Sequence, residues 1–370
     1  MRLCCIFNIP SLYREKIYLD IDKEYDCEWY FEQEDNGINL FDTNQLKNAH
    51  ILKHGKFVSR FYTMKGLVGL VWKKRKAYDR YLMVGTPMCV SLWAICILLK
   101  IFRPKAKVYF WTHGWYGKES FAEKVIKKNF LKLADELLVY GNYAKNLLVE
   151  QGFKKEKLHV IHNSLSYDVQ LKLRKQMQST AIYKEHFGND NPVLIFIGRL
   201  TKVKKLDMLV EAVAHLKEKG DNYNLIFVGD GVERESLELR VERLGLKDRV
   251  WFYGACYDEA VNAELVYNAD LCVAPGNVGL TAMHTLMFGC PVITHNDFRW
   301  QMPEFEAISQ YHTGNFFVRD NQLSLEETIS EWFRVNGAIR DEVRNWCYKE
   351  IDEQWNPYFQ MNVIKSVLNR

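Results

Sequence analysis

Several common chemistries lack their residues in this chain. The nine cysteines (Cys4, Cys5, Cys27, Cys89, Cys96, Cys256, Cys272, Cys290 and Cys347) contain no C-x-x-C pair, so neither a zinc knuckle nor a thioredoxin-type centre is signalled. There is no G-x-S-x-G elbow, Walker loop or H-E-x-x-H helix, which removes the serine-hydrolase, P-loop and zinc-protease readings. The histidines are dispersed, so no metal cluster is expected. Long apolar runs are missing too: the longest, Met88 to Leu99, is broken at Lys100 and falls short of the roughly 20 residues a membrane span requires. It reads as a buried or interfacial helix. The opening Met1-Arg2-Leu3-Cys4-Cys5-Ile6-Phe7 reads as a strand, not a signal peptide. Cysteines set in apolar runs such as Leu271-Cys272-Val273 fit buried free thiols, so a cytoplasmic location is expected.

Acidic residues are scarce in one region. Ile51 to Lys132 carries 18 Lys and Arg against 3 Asp and Glu, a local balance of +15 in a chain whose formal net charge is only +4. Such a surface suits an anionic membrane or a polyphosphate; a plain lysine-rich solvated face is the other reading. No nucleic-acid-reading motif accompanies the charge, so no nucleic-acid partner is expected.

What is present is a repeated alternation of strands and helices. In the first half, strands are expected at Leu3 to Phe7, Tyr81 to Val84, Val108 to Thr112, Leu137 to Tyr140 and Leu158 to Ile161, with amphipathic helices such as Glu119 to Lys132 and Ala144 to Glu150. A polar stretch from Ser164 to Phe187 reads as a linker region. The rhythm then restarts, with strands at Pro192 to Ile197, Asn224 to Val228, Val250 to Tyr253, Leu271 to Ala274 and Pro291 to Thr294. Helices are expected between them, at Leu206 to Lys219, Glu233 to Leu244, Glu259 to Asn268 and Thr281 to Phe288. Alternation of this kind builds a parallel sheet covered on both faces, with ligands beyond the carboxyl ends of the strands. The chain is long enough for two such units, and the expected fold is α/β, two Rossmann-like doubly wound domains facing a central cleft. The expected divisions are 1–180, 181–345, and a tail, 346–370, that returns to the first domain.

Two segments carry chemistry. In Phe196-Ile197-Gly198-Arg199-Leu200-Thr201-Lys202-Val203-Lys204-Lys205-Leu206-Asp207, a strand ends at Gly198 and Arg199 and Lys204 precede a helix. Two cations beside a helix N-terminus suit a phosphate, and they would stabilise a departing diphosphate; a solvated basic loop is the alternative. In Ala274-Pro275-Gly276-Asn277-Val278-Gly279-Leu280-Thr281-Ala282-Met283-His284, two glycines permit close backbone approach before a short helix whose first N–H groups are unpaired. Asp20-Ile21-Asp22 spells D-x-D, but inside an acidic stretch from Asp20 to Asp35, and is expected to be a solvated face. His113, at the end of an expected strand, reads by itself as a satisfied histidine.

On these residues the chain resembles the retaining GT-B glycosyltransferases of the family-four (glycosyl transferases group 1) type. The G-R-L-x-x-x-K-G-x-D pattern is matched by Gly198, Arg199, Leu200, Lys204 and Asp207, with Lys205 replacing the second glycine. Gly229-Asp230-Gly231, then Val250, Phe252 and Gly254, then Pro303-Glu304 and Thr313-Gly314 match later elements, while Thr112-His113-Gly114 resembles the histidine loop and Ile161-His162-Asn163 the interdomain element. The resemblance implies that Arg199 and Lys204 bind the donor diphosphate and that Gly198 ends the strand beneath it. It also implies that Gly276, Asn277, Val278, Gly279 and Leu280 lie under the donor sugar and phosphate, that the backbone near Tyr253 and Gly254 meets the base, and that His113 orients donor and acceptor. His113, Arg199 and Lys204 are therefore the expected catalytic residues. Two glutamates usual in the family fall on Gly276 and His284, neither a carboxylate; the imidazole of His284 can still hydrogen-bond a ribose hydroxyl.

The expected activity is metal-independent transfer, with retention, of a hexose from a UDP- or GDP-sugar to a growing glycan. The basic first half suggests a lipid-linked, polyprenyl-diphosphate acceptor and a peripheral position on the cytoplasmic face of the inner membrane, as in capsule or O-antigen assembly. No cofactor is expected; the nucleotide-sugar is a substrate. A non-catalytic GT-B binding subunit, motivated by the absent glutamates, and a sugar-nucleotide epimerase are the alternatives.

Overall fold

The computed structural model describes residues 1–33 and 39–370. Contacts divide it into two compact units, Met1–Ser166 with Pro357–Arg370, and Tyr167–Asn356.

The first unit holds eight strands: β1 (Arg2–Phe7), β2 (Asp26–Gln33), β3 (Ala49–Lys56), β4 (Tyr62–Met64), β5 (Arg80–Val84), β6 (Lys107–Thr112), β7 (Glu136–Val139) and β8 (Leu158–Val160). Their order across the sheet is β4-β3-β2-β1-β5-β6-β7-β8, parallel except for β3 with β4. The order reverses direction between β1 and β5, which is where a doubly wound sheet opens a ligand crevice. Two apolar clusters cover its faces. One gathers Tyr81, Met83, Phe110 and Phe130 with the helix Val90–Phe102. The other sets Phe7, Trp29 and Trp111 against Met361, Ile364, Val367 and Leu368 of the last helix, Pro357–Leu368.

Polar residues hide β2 and β3 from a reading of the sequence alone. Glu28 and Glu32 sit buried in β2 because basic groups meet them: His50 (3.0 Å), Arg2 (3.3 Å) and Lys74 for Glu28, and His54 (2.7 Å) for Glu32. Burial pushes the Glu28 carboxyl up, but its hydrogen bonds outweigh that and hold it down at about 2. Asp22 likewise corrects the solvated-face expectation for D-x-D. It is buried, accepting from the Trp29 indole at 2.8 Å and the Lys47 amide at 3.2 Å. Glu34 and Asp35, the end of that acidic stretch, lie outside the described residues.

The second unit holds β9 (Val193–Ile197), β10 (Asn224–Val228), β11 (Val250–Gly254), β12 (Leu271–Ala274), β13 (Val292–His295) and β14 (Gly314–Phe317), all parallel, in the order β11-β10-β9-β12-β13-β14. The reversal falls between β9 and β12. The region expected as a linker is structured: helices Tyr167–Arg174 and Ile182–Phe187 belong to this unit. Gln170 donates to Glu259 (2.7 Å), Tyr167 and Arg174 bond Asp352 (2.8 and 2.7 Å), and Tyr183 donates to the Leu265 carbonyl (2.6 Å). The division therefore falls at 166/167, not near 180 as the sequence suggests. Helix Arg340–Gln354 also belongs to this unit, so the return to the first begins at Pro357 and not at 346.

The helix Val90–Phe102 buries Leu92, Ile95, Cys96 and Leu99 and exposes Ile97, Ile101 and Phe102. Among the described residues no helix is long and apolar enough to cross a membrane, and all nine thiols are free.

Candidate functional site

In the second unit the loops after β9 and β12 meet at the strand-order reversal. Backbone bonds bring the strand ends to a common level: the Gly198 amide donates to Val228 (2.9 Å) and the Gly229 amide to Gly254 (2.8 Å). The chain after Gly198 forms a short turn, Lys202–Lys204, followed by Lys205 in the left-handed region at φ 50°. A glycine is the residue without penalty there, so Lys205 carries a backbone strain that the glycine of the resembled G-R-L-x-x-x-K-G-x-D pattern does not. The Lys205 ammonium pairs with Asp320.

Lys204 turns inward. Its ammonium donates to the Asn277 carbonyl (2.7 Å) and side-chain Oδ1 (2.9 Å). Burial lowers its pKa to about 8; Glu304, itself buried, acts in the opposite sense, and Arg199 adds to the lowering. The ammonium is thus charged at neutral pH but poorly compensated, the state in which an added anion is most strongly attracted. Arg199 is exposed beside it.

The Gly276 loop is built around this lysine. The Gly276 amide donates to the Lys204 carbonyl (2.9 Å), and a Cβ at Gly276 would stand 2.0 Å from the Val203 carbonyl oxygen and 2.7 Å from the Lys204 Cα. Any side chain at this position in this chain requires the 203–204 backbone to shift. Buried Gln301 locks the rest of the loop: it accepts from the Val278 amide (2.9 Å) and donates to Thr294 (2.7 Å) and the His295 carbonyl (3.0 Å). Gly279 and Leu280 then open the helix Leu280–Met287, and Thr281 donates to the Ile197 carbonyl (2.9 Å). The structure thus brings together Gly198, Arg199, Lys204 and Gly276 to Leu280.

His284 lies a turn along that helix, with Nε2 3.0 Å from Glu259. A carboxylate absent from the chain at position 284 is present beside it in space. Tyr253 and Gly254 end the edge strand β11, where Tyr253 is partly exposed and packs on Trp251.

His113 is in the first unit, just beyond β6 and bordering a cavity of about 280 Å³ at the β1/β5 reversal. Its Nδ1 is buried with no hydrogen-bond partner among the described residues, so the satisfied-histidine reading is corrected. Burial, then Arg14, then Lys127 lower its pKa to about 4; the ring is neutral at physiological pH. Arg14 and Lys127 line the same cavity, with Trp111, Tyr116 and Tyr140 as walls. His162 and Asn163 are buried near the last helix, where Gln360 donates to the His162 carbonyl (2.9 Å).

Sequence reasoning missed Gln301, Glu259 as the partner of His284, Arg14 with Lys127, and the roles of Asn277 as the anchor of Lys204 and of Glu304 as its nearby carboxylate. These roles come from partners that folding, not a local pattern, brings together. Among the described residues no group of three His, Cys, Asp or Glu side chains is arranged to hold a metal.

Residues 178–349 match the family model of glycosyl transferases group 1. Along most of its length the chain is similar to an uncharacterized 41.2 kDa protein in the cps region of Klebsiella pneumoniae, 25% identical over 335 residues, covering 87% of this chain and 79% of that one. Over 182 residues, 47% of this chain and 49% of the relative, it is 40% identical to a Campylobacter jejuni enzyme named GalNAc-alpha-(1->4)-GalNAc-alpha-(1->3)-diNAcBac-PP-undecaprenol alpha-1,4-N-acetyl-D-galactosaminyltransferase. Among solved structures, Anabaena HepE in complex with UDP superposes with a TM-score of 0.75 at 16% identity, covering 100% of both chains. The two Rossmann-like units have the GT-B fold, and the sequence matches support the group 1 glycosyltransferase family.

Proposed function

We propose that the chain transfers a hexose from a UDP- or GDP-sugar to a growing, lipid-linked glycan of a bacterial surface polysaccharide, with retention and without a metal ion. The observation that carries this is the inward-turned Lys204, fixed on Asn277 beside exposed Arg199 at the head of the helix Leu280–Met287. As the bond between the sugar's anomeric carbon and the diphosphate breaks, both electrons stay on the phosphate oxygen. An ammonium and a guanidinium beside that oxygen stabilise the charge. The acceptor hydroxyl forms the new bond and gives its proton to the leaving phosphate. Neutral His113 orients the reactants and is not the nucleophile.

Support for the donor class comes from the HepE complex with UDP, and for the acceptor class from the undecaprenol-linked substrate in the Campylobacter enzyme's name. Exposed Phe57, Val58 and Phe121 (84% exposed) stand in the basic region of the first unit, together with Ile101 and Phe102. Such a surface suits peripheral binding to an anionic bilayer.

A thermal-shift screen against UDP, GDP and their sugars tests the donor, because a ligand that binds the native state raises the melting temperature. Transfer should persist in EDTA, give a product with the donor's anomeric configuration, and fall steeply in Lys204→Ala and His113→Ala. Full turnover in either variant removes that residue from the mechanism. Vesicle binding should weaken with salt; salt-insensitive partition into the soluble fraction refutes the membrane assignment.

A further inference from the structure

The cavity in the first unit contains a charge that nothing among the described residues neutralises. Arg14 closes the short turn Leu12–Arg14 after β1 and is only 8% exposed. Its neighbours are aromatic: one Nη donates to the Tyr140 hydroxyl, and the guanidinium lies 5.3 Å from the Tyr13 ring, 5.5 Å from Trp111 and 5.8 Å from Tyr140. The neutral Tyr18 hydroxyl also stands beside it, its Nε is buried without a well-formed hydrogen bond, and no carboxylate pairs with it among the described residues. Arginine keeps its proton in proteins, so the site cannot relieve the charge by neutralising.

The other ionic groups around the cavity do not help. Lys127 is matched by Glu119 at 2.8 Å, and that carboxylate is saturated by the Tyr116 and Gly117 amides at 2.8 and 2.9 Å. His113 is held neutral by its burial and its cationic surroundings. One net positive charge therefore faces a cavity of about 280 Å³. That is just under the size range of drug-sized ligand sites, so it suits one small ring. Partly exposed Tyr116 supplies a flat apolar surface that can stack on a sugar, and buried Trp111 and Tyr140 form the apolar wall behind it. A buried cation left without a partner is costly, and a buried, unsatisfied polar group calls for an explanation such as a missing ligand. The position, at the strand-order reversal beyond the carboxyl ends of β1 and β6, is where a doubly wound sheet receives one.

We propose that this cavity is a subsite for an acidic monosaccharide residue, whose carboxylate or phosphate pairs with the guanidinium of Arg14 while its ring lies against Tyr116. That this residue belongs to the acceptor rests on the transferase reading; the site itself does not. A planar guanidinium presents two parallel N–H groups, so a carboxylate or phosphate can engage it in two-pronged fashion. A neutral hexose leaves the charge uncompensated and binds weakly.

Saturation-transfer NMR on the full chain, with no donor present, tests the subsite. The probes are glucuronate, glucose 6-phosphate, glucose and inorganic phosphate, against wild type, Arg14→Met and Arg14→Lys. At least one acidic sugar should bind wild type at least tenfold more tightly than glucose does, and which one it is identifies the acidic group. Arg14→Met should abolish the preference without lowering the melting temperature, since it removes an unpaired buried charge. Arg14→Lys should fold and keep the preference at reduced affinity. Equal binding of glucose and both acidic sugars to wild type overturns the proposal, as does inorganic phosphate binding where neither acidic sugar does, or undiminished preference in Arg14→Met. UDP binding, read by thermal shift in wild type and Lys204→Ala, reports separately on the donor assignment. If UDP protects wild type but acidic sugars do not bind, the subsite fails and the transferase reading stands. If acidic sugars bind but neither UDP nor GDP protects, the subsite stands and the transferase reading fails.

Discussion

Lys204 shows how a single side chain is prepared for an anion. The turn Lys202–Lys204 and the Asn277 oxygens hold it in a fixed place, and burial lowers its pKa to about 8. A diphosphate binds the protonated form, so affinity for UDP or GDP should be flat below pH 7 and fall as pH rises through about 8. Titration calorimetry between pH 6.5 and 9.5 reads this, and a profile flat to pH 9.5 excludes the ammonium as a ligand. Lys204→Ala should lose at least tenfold in affinity, since a hydrogen bond to a charged group contributes about 1.5–3 kcal/mol. At this scale, chain position predicted that Lys204 matters but not how it is held. Asn277 is 73 residues away, and only folding sets it beside the ammonium.

At the scale of elements, the loops after β9 and β12 act as one piece. Gly276→Ala places a methyl group 2.0 Å from the Val203 carbonyl, and backbone cannot rotate away as a flexible side chain would. Overpacking of this kind costs about 1–3 kcal/mol. The variant should show a lower urea midpoint together with loss of nucleotide protection. A retained thermal shift with UDP would show that the loop does not carry the donor. The last helix makes a second element-scale case. Met361, Ile364, Val367 and Leu368 are buried in the core of the first unit, and each fully buried side chain of this size contributes about 1.5–3 kcal/mol. Removing residues 357–370 should therefore abolish cooperative folding of that unit, seen as loss of its melting transition. The rhythm of apolar runs and breaks made most strands of the parallel sheets legible beforehand. The strands β2, β3, β4 and β14 were not, because charged and short segments mask them: a buried Glu28 or Glu32 looks solvent-facing until Lys74, His50 and His54 are folded against it.

For the whole molecule, histidines with lowered pKa values tie stability to pH, two of them strongly. His113 in the first unit and His295 in the second have pKa values lowered to about 4, chiefly by burial. Unfolded histidine titrates near 6.5. Between those values the unfolded chain binds protons that the folded chain refuses, so stability rises with pH over that window and is lost as pH falls from about 6.5 toward 4. Urea midpoints should drop between pH 7 and 5, and replacing both histidines by glutamine should reduce the slope, the remainder coming in part from His159 and His186, whose pKa values burial also lowers. The sequence by itself determined the class of the molecule, two doubly wound units with phosphate-type loops in the second, because strand and helix periods and glycine turns are local properties. Tertiary structure alone decided which charges are answered and which are not. Glu259 meets His284, Asn277 takes Lys204, and Arg14 is left among tyrosines, because burial and pairing join residues that the chain keeps far apart.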